Sequence, residues 1–266
     1  MPQKDLGLYL HVPFCLQKCP YCSFYSLPNR LDLVPRYVQA VTRQARDTAQ
    51  RLRTHSDDLQ PLTSIFFGGG TPTLLPPKSL AVLLATCLQH FSHRNDAEIS
   101  IEANPATVNQ AALDQLRQAG FNRLSIGVQS LHQEELQALG RPHSAQEARQ
   151  TIIWAQQAGF TNISVDLMYG LPGQTLQSWA TTLEQTLSLG IQHLSIYELT
   201  IEQGTFFAQH EEQLGLPEEE IVLAMLSQTQ KALAAYGFQR YEISNYALPG
   251  QRCRHNITYW HNGEYI

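Results

Sequence analysis

The sequence predicts an α/β fold with a parallel sheet, as a partial or complete (β/α) barrel of about six βα units. Short runs rich in β-branched and aromatic residues alternate with longer segments whose apolar residues recur at helical spacing. Polar or special residues follow nearly every run, which is typical of a site at the carboxyl edge of a barrel. An open doubly wound sheet would concentrate them near one switch point, and the sequence leaves that alternative open.

Six strands and six helices account for most of the chain. The predicted strands cover residues 6–12, 63–69, 97–104, 123–130, 162–170 and 193–200. The predicted helices cover residues 34–52, 77–91, 109–120, 144–159, 175–190 and 218–237. Several helical patterns end at a glycine, which readily adopts the left-handed conformation common at helix C-termini. Strands that alternate with helices in this way pair in parallel through right-handed crossovers.

The composition excludes several classes of protein. With 266 residues, 43% hydrophobic and 15% charged, the chain can bury a sizeable core, which argues against disorder. The net charge is −5 and the cations are scattered, so the sequence gives no sign of nucleic-acid binding. No window approaches the roughly 18 apolar residues of a membrane span, and the N-terminal apolar run is too short for a signal peptide. We therefore expect a cytoplasmic protein, in which thiols stay reduced.

Three of the five cysteines, Cys15, Cys19 and Cys22, form a C-x3-C-x2-C cluster after the first predicted strand. In a reducing compartment, such a cluster more often binds metal or does chemistry than forms disulfides. Three thiolates are one short of the usual four of an iron-sulfur cluster, which leaves one iron open to another ligand. Structural zinc with His11 as fourth ligand is the alternative. Cys87 lies in an apolar helical pattern, so we expect it to be only a buried hydrophobic residue.

A glycine-rich segment, FFGGGTP at residues 66–72, follows the second predicted strand. Three glycines at a strand end allow a ligand to approach the backbone closely and expose N–H groups. The segment lacks the Gly-Lys-Ser/Thr of a P-loop and the spacing of a dinucleotide fingerprint. A ligand-binding loop and a tight strand-to-helix turn are both consistent with it.

The cysteine spacing, preceded by YLHVPF, and the GGGTP segment resemble the motifs of the radical S-adenosylmethionine (SAM) superfamily. The resemblance implies that Cys15, Cys19 and Cys22 hold a 4Fe-4S cluster whose open iron chelates SAM. An electron donor then reduces the cluster, and SAM is cleaved to a 5′-deoxyadenosyl radical. Motif matching further implies that nine residues contact SAM: Tyr9, Tyr21, Gly69, Gly70, Thr71, Glu102, Gln129, Arg141 and Asp166.

Further motifs resemble the oxygen-independent coproporphyrinogen III oxidase branch: IEANP, SIGVQS, LGR, VDLMYGLPGQ and YEISNYA. Those oxidases carry a fourth cysteine two residues after the third, where this chain has Phe24, and an N-terminal extension without a counterpart here. The chain is therefore more similar to the HemW type of that branch, a family of haem chaperones. This implies haem as ligand or cargo and haem-accepting proteins, including membrane respiratory enzymes, as partners. A radical SAM enzyme that decarboxylates a porphyrinogen is the alternative, and the sequence does not settle turnover.

The tail segment RHNITYW, residues 254–260, resembles the HNxxYW motif of that family. It predicts an exposed His255 that ligates haem iron, with the Tyr and Trp rings packed on the macrocycle. We expect residues 1–238 to form the core with the cluster and SAM site, and residues 239–266 to begin a C-terminal region. The strand-like ending YWHNGEYI has no terminal cap, which predicts that the chain is partial.

Overall fold

The computed structural model describes residues 5–55 and 60–266. Its strands are β1 (Leu6–Val12), β2 (Phe14–Cys15), β3 (Leu27–Pro28), β4 (Leu62–Gly69), β5 (His93–Ala103), β6 (Arg123–Gln129), β7 (Ile163–Tyr169), β8 (His193–Glu198), β9 (Gln239–Arg240), β10 (Asn245–Ala247) and β11 (Glu264–Tyr265). Its helices are α1 (Val34–His55), α2 (Pro77–His90), α3 (Gln110–Ala119), α4 (Gln133–Ala138), α5 (Ala145–Gln157), α6 (Leu176–Ser188), α7 (Phe206–Gln209), α8 (Glu219–Ala235) and α9 (Arg254–Trp260). The six predicted strands and six predicted helices are confirmed, with ends that differ by a few residues.

The central parallel strands follow the order β1-β4-β5-β6-β7-β8. This order follows the chain without the reversal that a doubly wound sheet shows at its switch point. At one edge β11 pairs in parallel with β1, and at the other β10 and β9 add antiparallel strands to β8. A single cavity is lined both by the loop after β2 and by the end of β8, so the sheet curls around it. In the described part of the chain no strand ladder joins β11 to β9, and the fold is a parallel α/β sheet of six βα units.

The two faces of the curled sheet differ in polarity because successive side chains of a strand point to opposite sides. On β4, Ile65 and Phe67 are fully buried in the hydrophobic core that the helices cover. The alternate positions of the parallel strands carry polar groups on the inner face. They include Ser64, Glu98, Ser100, Glu102, Arg123, Ser125, Ser164, Asp166, His193 and Ser195. These polar side chains fill the inside of the curled sheet as far as the carboxyl ends of its strands.

Local sequence signals set several helix boundaries. The Asn109 side chain accepts a hydrogen bond from the backbone N of Ala112 at 3.0 Å and so caps α3. Ser144 and Glu147 form a reciprocal capping box at the start of α5. Gly120 ends α3 with φ of 112°, a conformation that residues with a Cβ rarely adopt. These signals fix where the helices leave the sheet and return to it.

Residues 239–266 add to both edges of the same sheet, through β9 and β10 at one side and β11 at the other. Helix α9, from the same segment, packs against β4 and β1. The division into a core of residues 1–238 and a separate C-terminal region stays a prediction. None of the helices in the two described ranges has both the length and the apolar character needed to cross a bilayer.

Candidate functional site

A cavity of about 470 Å³ opens at the carboxyl ends of the parallel strands. Its wall contains all three clustered cysteines and eight of the nine residues predicted to contact SAM. These eight are Tyr21, Gly69, Gly70, Thr71, Glu102, Gln129, Arg141 and Asp166. Parallel βα units bring the loops that follow successive strands to one edge, so residues distant in sequence meet there.

Tyr9 is the predicted contact that lies apart from the cavity wall. Its hydroxyl forms a hydrogen bond with Nδ1 of His11 at 3.2 Å, and its ring stacks on Phe66 with centroids 6.2 Å apart. Tyr9 therefore lies on the inner face of β1, before the strand reaches its carboxyl end. Its contact with SAM stays a prediction.

The three clustered cysteines lie in the loop that begins at β2. Cys15 ends β2, and the backbone N of Cys22 donates to the carbonyl of Cys19 at 3.1 Å. Across the described residues, no three His, Cys, Asp or Glu side chains converge closely enough to hold a single metal ion. In a 4Fe-4S cluster the thiolates bind different irons, so their sulfurs stay further apart than the ligands of one zinc ion. The three thiols line the cavity and are the candidate ligands of the predicted 4Fe-4S cluster.

His11, the fourth ligand of the zinc alternative, is engaged elsewhere. Its Nε2 forms a hydrogen bond with the backbone oxygen of Tyr25 at 3.1 Å, while Nδ1 pairs with the Tyr9 hydroxyl. Both ring nitrogens thus contact groups other than the cysteines. The role of His11 in this structure is to hold the end of the cysteine loop against β1.

The glycines of the GGGTP segment are required by close packing of two loops. A Cβ on Gly69, whose φ is 116°, would lie 2.6 Å from the His11 ring. A Cβ on Gly70 would lie 2.6 Å from the backbone oxygen of Phe14. A side chain at position 69 would displace the His11 ring on β1, and one at position 70 would displace the backbone that leads into the cysteine loop. Thr71 then follows with its Oγ1 3.9 Å from Cys15 Sγ, which places the glycine segment directly beside the thiols.

Two carboxyl groups, Glu102 and Asp166, face the cavity from β5 and β7. The backbone N of Gly69 donates to Glu102 Oε2 at 3.1 Å, and Ser125 Oγ donates to Asp166 Oδ1 at 3.2 Å. Burial, with the charge of Asp166, raises the pKa of Glu102 to about 8. Burial also raises the pKa of Asp166. A cationic ligand would favour the ionised form of both groups, and SAM supplies a sulfonium and an ammonium group.

Strand β6 ends irregularly, and Arg141 joins this strand end to the cysteine loop. Gln129 has φ of 67°, uncommon for a residue other than glycine, and the register with β7 shifts between Gly127 and Gln129. Arg141 donates through Nη2 to the carbonyl of Gly127 at 2.8 Å and through Nη1 to Cys19 Sγ at 3.7 Å. Its Nε is buried without a hydrogen-bond partner. A guanidinium held beside the Cys19 thiol in the cavity wall suits a ligand carboxylate.

The cavity wall also contains residues that the sequence analysis did not name as SAM contacts. Among them are Asn104, Pro142, Met168, Tyr197 and Glu202. Asn104 and Tyr197 lie at strand ends, so the rule that placed Glu102 and Asp166 there also finds them. Glu202 lies in the loop after β8, where no sequence pattern distinguishes it from other loop carboxylates.

His255 does not lie in the exposed loop that the sequence predicts, and that expectation is wrong. It is a residue of α9 with 2% exposure, and its ring stacks on Phe66 at 5.1 Å between centroids. Nδ1 pairs with Ser64 Oγ at 2.9 Å and Nε2 with the Tyr259 hydroxyl at 3.0 Å. Burial lowers the pKa of His255 to about 4. In this conformation neither ring nitrogen is free to bind iron.

The carboxylate of Glu98 is the physical reason for this burial. It lies on the inner face of β5 and accepts a hydrogen bond from the backbone N of Arg254 at 3.0 Å. The thiol of Cys253, which precedes α9, donates to the same carboxylate at 3.4 Å. An acidic side chain at a helix N-terminus satisfies N–H groups that have no partner within the helix. Glu98 thereby holds the start of α9 against the inner face of the sheet, and His255 points into the polar interior.

Comparisons with known proteins show the family to which the chain belongs. Residues 9–186 match the family model of the Radical SAM superfamily. The chain is 38% identical over 268 residues to heme chaperone HemW of Haemophilus influenzae, covering 100% of this chain and 69% of that protein. It is 40% identical over 263 residues to heme chaperone HemW of Escherichia coli, covering 98% of this chain and 68% of that protein.

A solved structure shares the fold as well. The radical SAM enzyme coproporphyrinogen III oxidase (HemN) from Escherichia coli superposes with a TM-score of 0.84 at 30% sequence identity. The match covers 98% of this chain and 59% of the oxidase chain. The chain described above thus spans only part of the length of these proteins.

Proposed function

The chain belongs to the radical SAM superfamily and, within it, to the HemW family, and on that basis we propose that it binds haem and delivers it to haem-requiring proteins. The observation that carries the proposal is identity of 38% and 40%, over essentially the whole chain, to two bacterial proteins named heme chaperones. The oxidase also shares the fold, but at 30% identity. Phe24 supports the chaperone over the oxidase, because the oxidases carry a cysteine at this position.

The cavity is proposed to hold a 4Fe-4S cluster on Cys15, Cys19 and Cys22, with SAM beside it. When bound, the pair supplies one-electron chemistry through reductive cleavage of SAM. The carboxyl groups of Glu102 and Asp166 suit the cationic parts of SAM, and the guanidinium of Arg141 suits its carboxylate. An electron donor to the cluster and haem-accepting proteins, including membrane respiratory enzymes, are the proposed partners. The cytoplasm is the proposed location.

Haem binding and transfer test this function directly. Protein purified anaerobically with its cluster reconstituted is titrated with haemin, and we expect a saturable Soret band. The haem-loaded protein is then mixed with a haem-free acceptor protein, and the Soret maximum should move to that of the acceptor. Free haemin at the same concentration, added to the acceptor, is the control for transfer through solution.

Two results would contradict the proposal. One is the absence of a saturable Soret band in the wild-type protein. The other is conversion of coproporphyrinogen III to protoporphyrinogen IX, with consumption of SAM, by the reduced protein. The second result would instead support a radical enzyme that decarboxylates a porphyrinogen.

A further inference from the structure

We propose that the outer face of α1 is the docking surface for an acidic electron-carrier protein that reduces the cluster. The inference rests on the cluster-binding part of the proposed function, in which a 4Fe-4S cluster receives electrons from a donor, and it adds the place where that donor binds. We call this surface the arginine face. Its members are Arg36, Arg43, Arg46 and Arg53.

The spacing of these arginines places them on one side of the helix. Successive members are 7, 3 and 7 residues apart, so at about 3.6 residues per turn they fall within an arc of about 100°. With a rise of about 1.5 Å per residue, the four extend over roughly 25 Å along α1. All four are exposed, whereas the opposite side of the helix packs against the hydrophobic core through Val38, Val41 and Leu52.

The arginine face lacks counter-ions. Across residues 5–55 and 60–266, none of its four side chains takes part in an ion pair or a hydrogen bond. By contrast, the exposed Arg30, Arg94 and Arg254 each pair with an aspartate at 3.0 or 3.1 Å. With five arginines and Asp47 as its one acidic residue, α1 carries a net charge of +4 in a chain whose total is −5. Its outer face is therefore a local positive surface on an acidic protein.

A compact acidic protein fits this charge distribution better than a membrane does. The exposed positions of α1 that the structure describes include Gln39, Gln44 and Gln50, and none holds the aromatic or long aliphatic side chain with which a peripheral helix enters a bilayer. A broad anionic bilayer would also lie opposite the acidic remainder of the chain, whereas a small protein contacts only the arginine face. Guanidinium groups pair with carboxylates through two hydrogen bonds, so acidic side chains are the matching groups on the partner.

Helix α1 begins beside the strand that carries the first cysteine. The Tyr37 hydroxyl donates to the backbone oxygen of His11 at 2.7 Å, and the Tyr37 ring packs edge-on against Phe14 at 5.3 Å between centroids. Phe14 and Cys15 together form β2. Arg36 precedes Tyr37, so the first member of the arginine face lies next to the start of the cysteine loop. A protein docked there lies near the thiols proposed to hold the cluster, as electron transfer requires.

The character of the surface favours an electron carrier over a haem acceptor. A row of charges without an exposed apolar centre lacks the buried anchor residues that make complexes long-lived. It supports fast, steered association and easy release instead. Electron-transfer complexes have such small, transient interfaces. Transfer of haem, in contrast, requires the two proteins to shield an apolar macrocycle from water while it moves.

The test uses a plant-type ferredoxin, an acidic [2Fe-2S] one-electron carrier, as the probe. Its affinity for the cluster-loaded protein is measured by titration calorimetry at ionic strengths of about 0.01 M and about 0.15 M. We expect Arg43→Glu/Arg46→Glu to raise the dissociation constant at least about tenfold at the lower ionic strength, with a smaller difference from the wild type at the higher one. The control is Lys231→Glu/Arg252→Glu, which changes the net charge equally at exposed positions on α8 and before α9. It should stay within about twofold of the wild type.

A second measurement separates docking from the cluster itself. Reduced ferredoxin and dithionite are each mixed with the oxidised cluster, and the loss of cluster absorbance gives the rate of reduction. Arg43→Glu/Arg46→Glu should slow reduction by ferredoxin at least about tenfold but keep reduction by dithionite within about twofold, because a small reductant needs no docking surface. The circular dichroism spectrum of each variant establishes that the fold is retained.

Three results would overturn the inference. One is equal ferredoxin affinity and reduction rate in the wild type and Arg43→Glu/Arg46→Glu, and another is a wild type that binds no ferredoxin. The third is an equal loss in Lys231→Glu/Arg252→Glu, since net charge rather than α1 would then be responsible. Binding of phosphatidylglycerol vesicles that only Arg43→Glu/Arg46→Glu loses, with ferredoxin binding unchanged, would assign the face to a membrane instead.

Haem titration keeps the proposed function separate from the docking surface. Arg43→Glu/Arg46→Glu should bind haem as the wild type does, because α1 supplies no residue to the cavity wall. A wild type without a saturable Soret band contradicts the haem function, while ferredoxin binding and cluster reduction still decide whether the arginine face is the docking surface.

Discussion

Glu102 illustrates how the interior of the curled sheet changes the chemistry of one residue. In sequence it is a strand carboxylate, and in the fold it faces other ionisable groups from several strands. The loss of water and the charge of Asp166 raise its pKa to about 8, while the cation of Arg123 acts in the opposite direction. The hydroxyls of Tyr9 and Tyr197 also face it and have raised pKa values, so they stay neutral at ordinary pH. Glu102 therefore holds a proton near neutral pH until a cation enters the cavity.

This shift predicts a pH dependence of stability in the protein without cluster and SAM. Between the ordinary value of 4.5 and about 8, the folded state binds a proton at Glu102 that the unfolded state releases. The free energy of unfolding should therefore fall as the pH rises through this window. In Glu102→Gln the slope should be smaller, which urea unfolding from about pH 5 to about pH 8 measures. Equal slopes in the two proteins would show that Glu102 titrates normally.

Helix α9 shows how one short element occupies the interior of the sheet. Its residues form a motif that suggests an exposed haem ligand, yet Glu98 caps its start and Ser64 and Tyr259 hold its histidine. Ligation of haem by His255 stays a prediction, and it requires both ring hydrogen bonds to break. The arrangement in the described residues makes His255 a core residue that joins α9 to β4.

We predict that His255→Ala lowers the free energy of unfolding by about 1 to 3 kcal/mol. The reason is that the substitution leaves the hydroxyls of Ser64 and Tyr259 without their partner and opens a cavity beside Phe66. His261→Ala, at the exposed end of the same helix, is the control and should change stability by no more than about 0.5 kcal/mol. Urea unfolding compares the two variants. A His255→Ala protein as stable as His261→Ala would contradict the structural role.

At the scale of the whole molecule, the cysteine loop lies against the GGGTP segment, although more than forty residues separate them in the sequence. The start of the cysteine loop packs so closely on the GGGTP segment that Gly70 has no space for a side chain. Arg141 ties the end of β6 to Cys19. A ligand that contacts both loops therefore stabilises the connection between the first strands and the rest of the sheet.

We predict that SAM stabilises the cluster-loaded protein by about 2.7 kcal/mol at a concentration of 100 times its dissociation constant. Cys19→Ala should lose this increase, because without the cluster the open iron that chelates SAM is absent. Cys87→Ala is the control: this thiol is buried in α2, so its loss costs about 1 kcal/mol of packing but leaves the SAM effect intact. Anaerobic unfolding with and without SAM measures both. An undiminished SAM effect in Cys19→Ala would remove that cysteine from the site.

Local pattern was enough to predict much of this protein. The periods of 2 and 3.6 residues gave the six strands and six helices, and the rule for parallel strands predicted that Glu102, Gln129 and Asp166 meet at one edge. The cysteine spacing indicated the cluster. These features could be predicted because they depend on residues near one another in the chain, or on a topology that follows from their order.

Tertiary structure alone decided what each polar side chain faces. Tyr9 and Glu102 both lie on strands, yet only Glu102 lines the cavity. His255 was expected in solvent, but it pairs with Ser64, which is 191 residues away in the sequence. The physical reason is that burial and hydrogen bonding of a side chain depend on distant elements packed against it, and neither periodicity nor spacing carries that information.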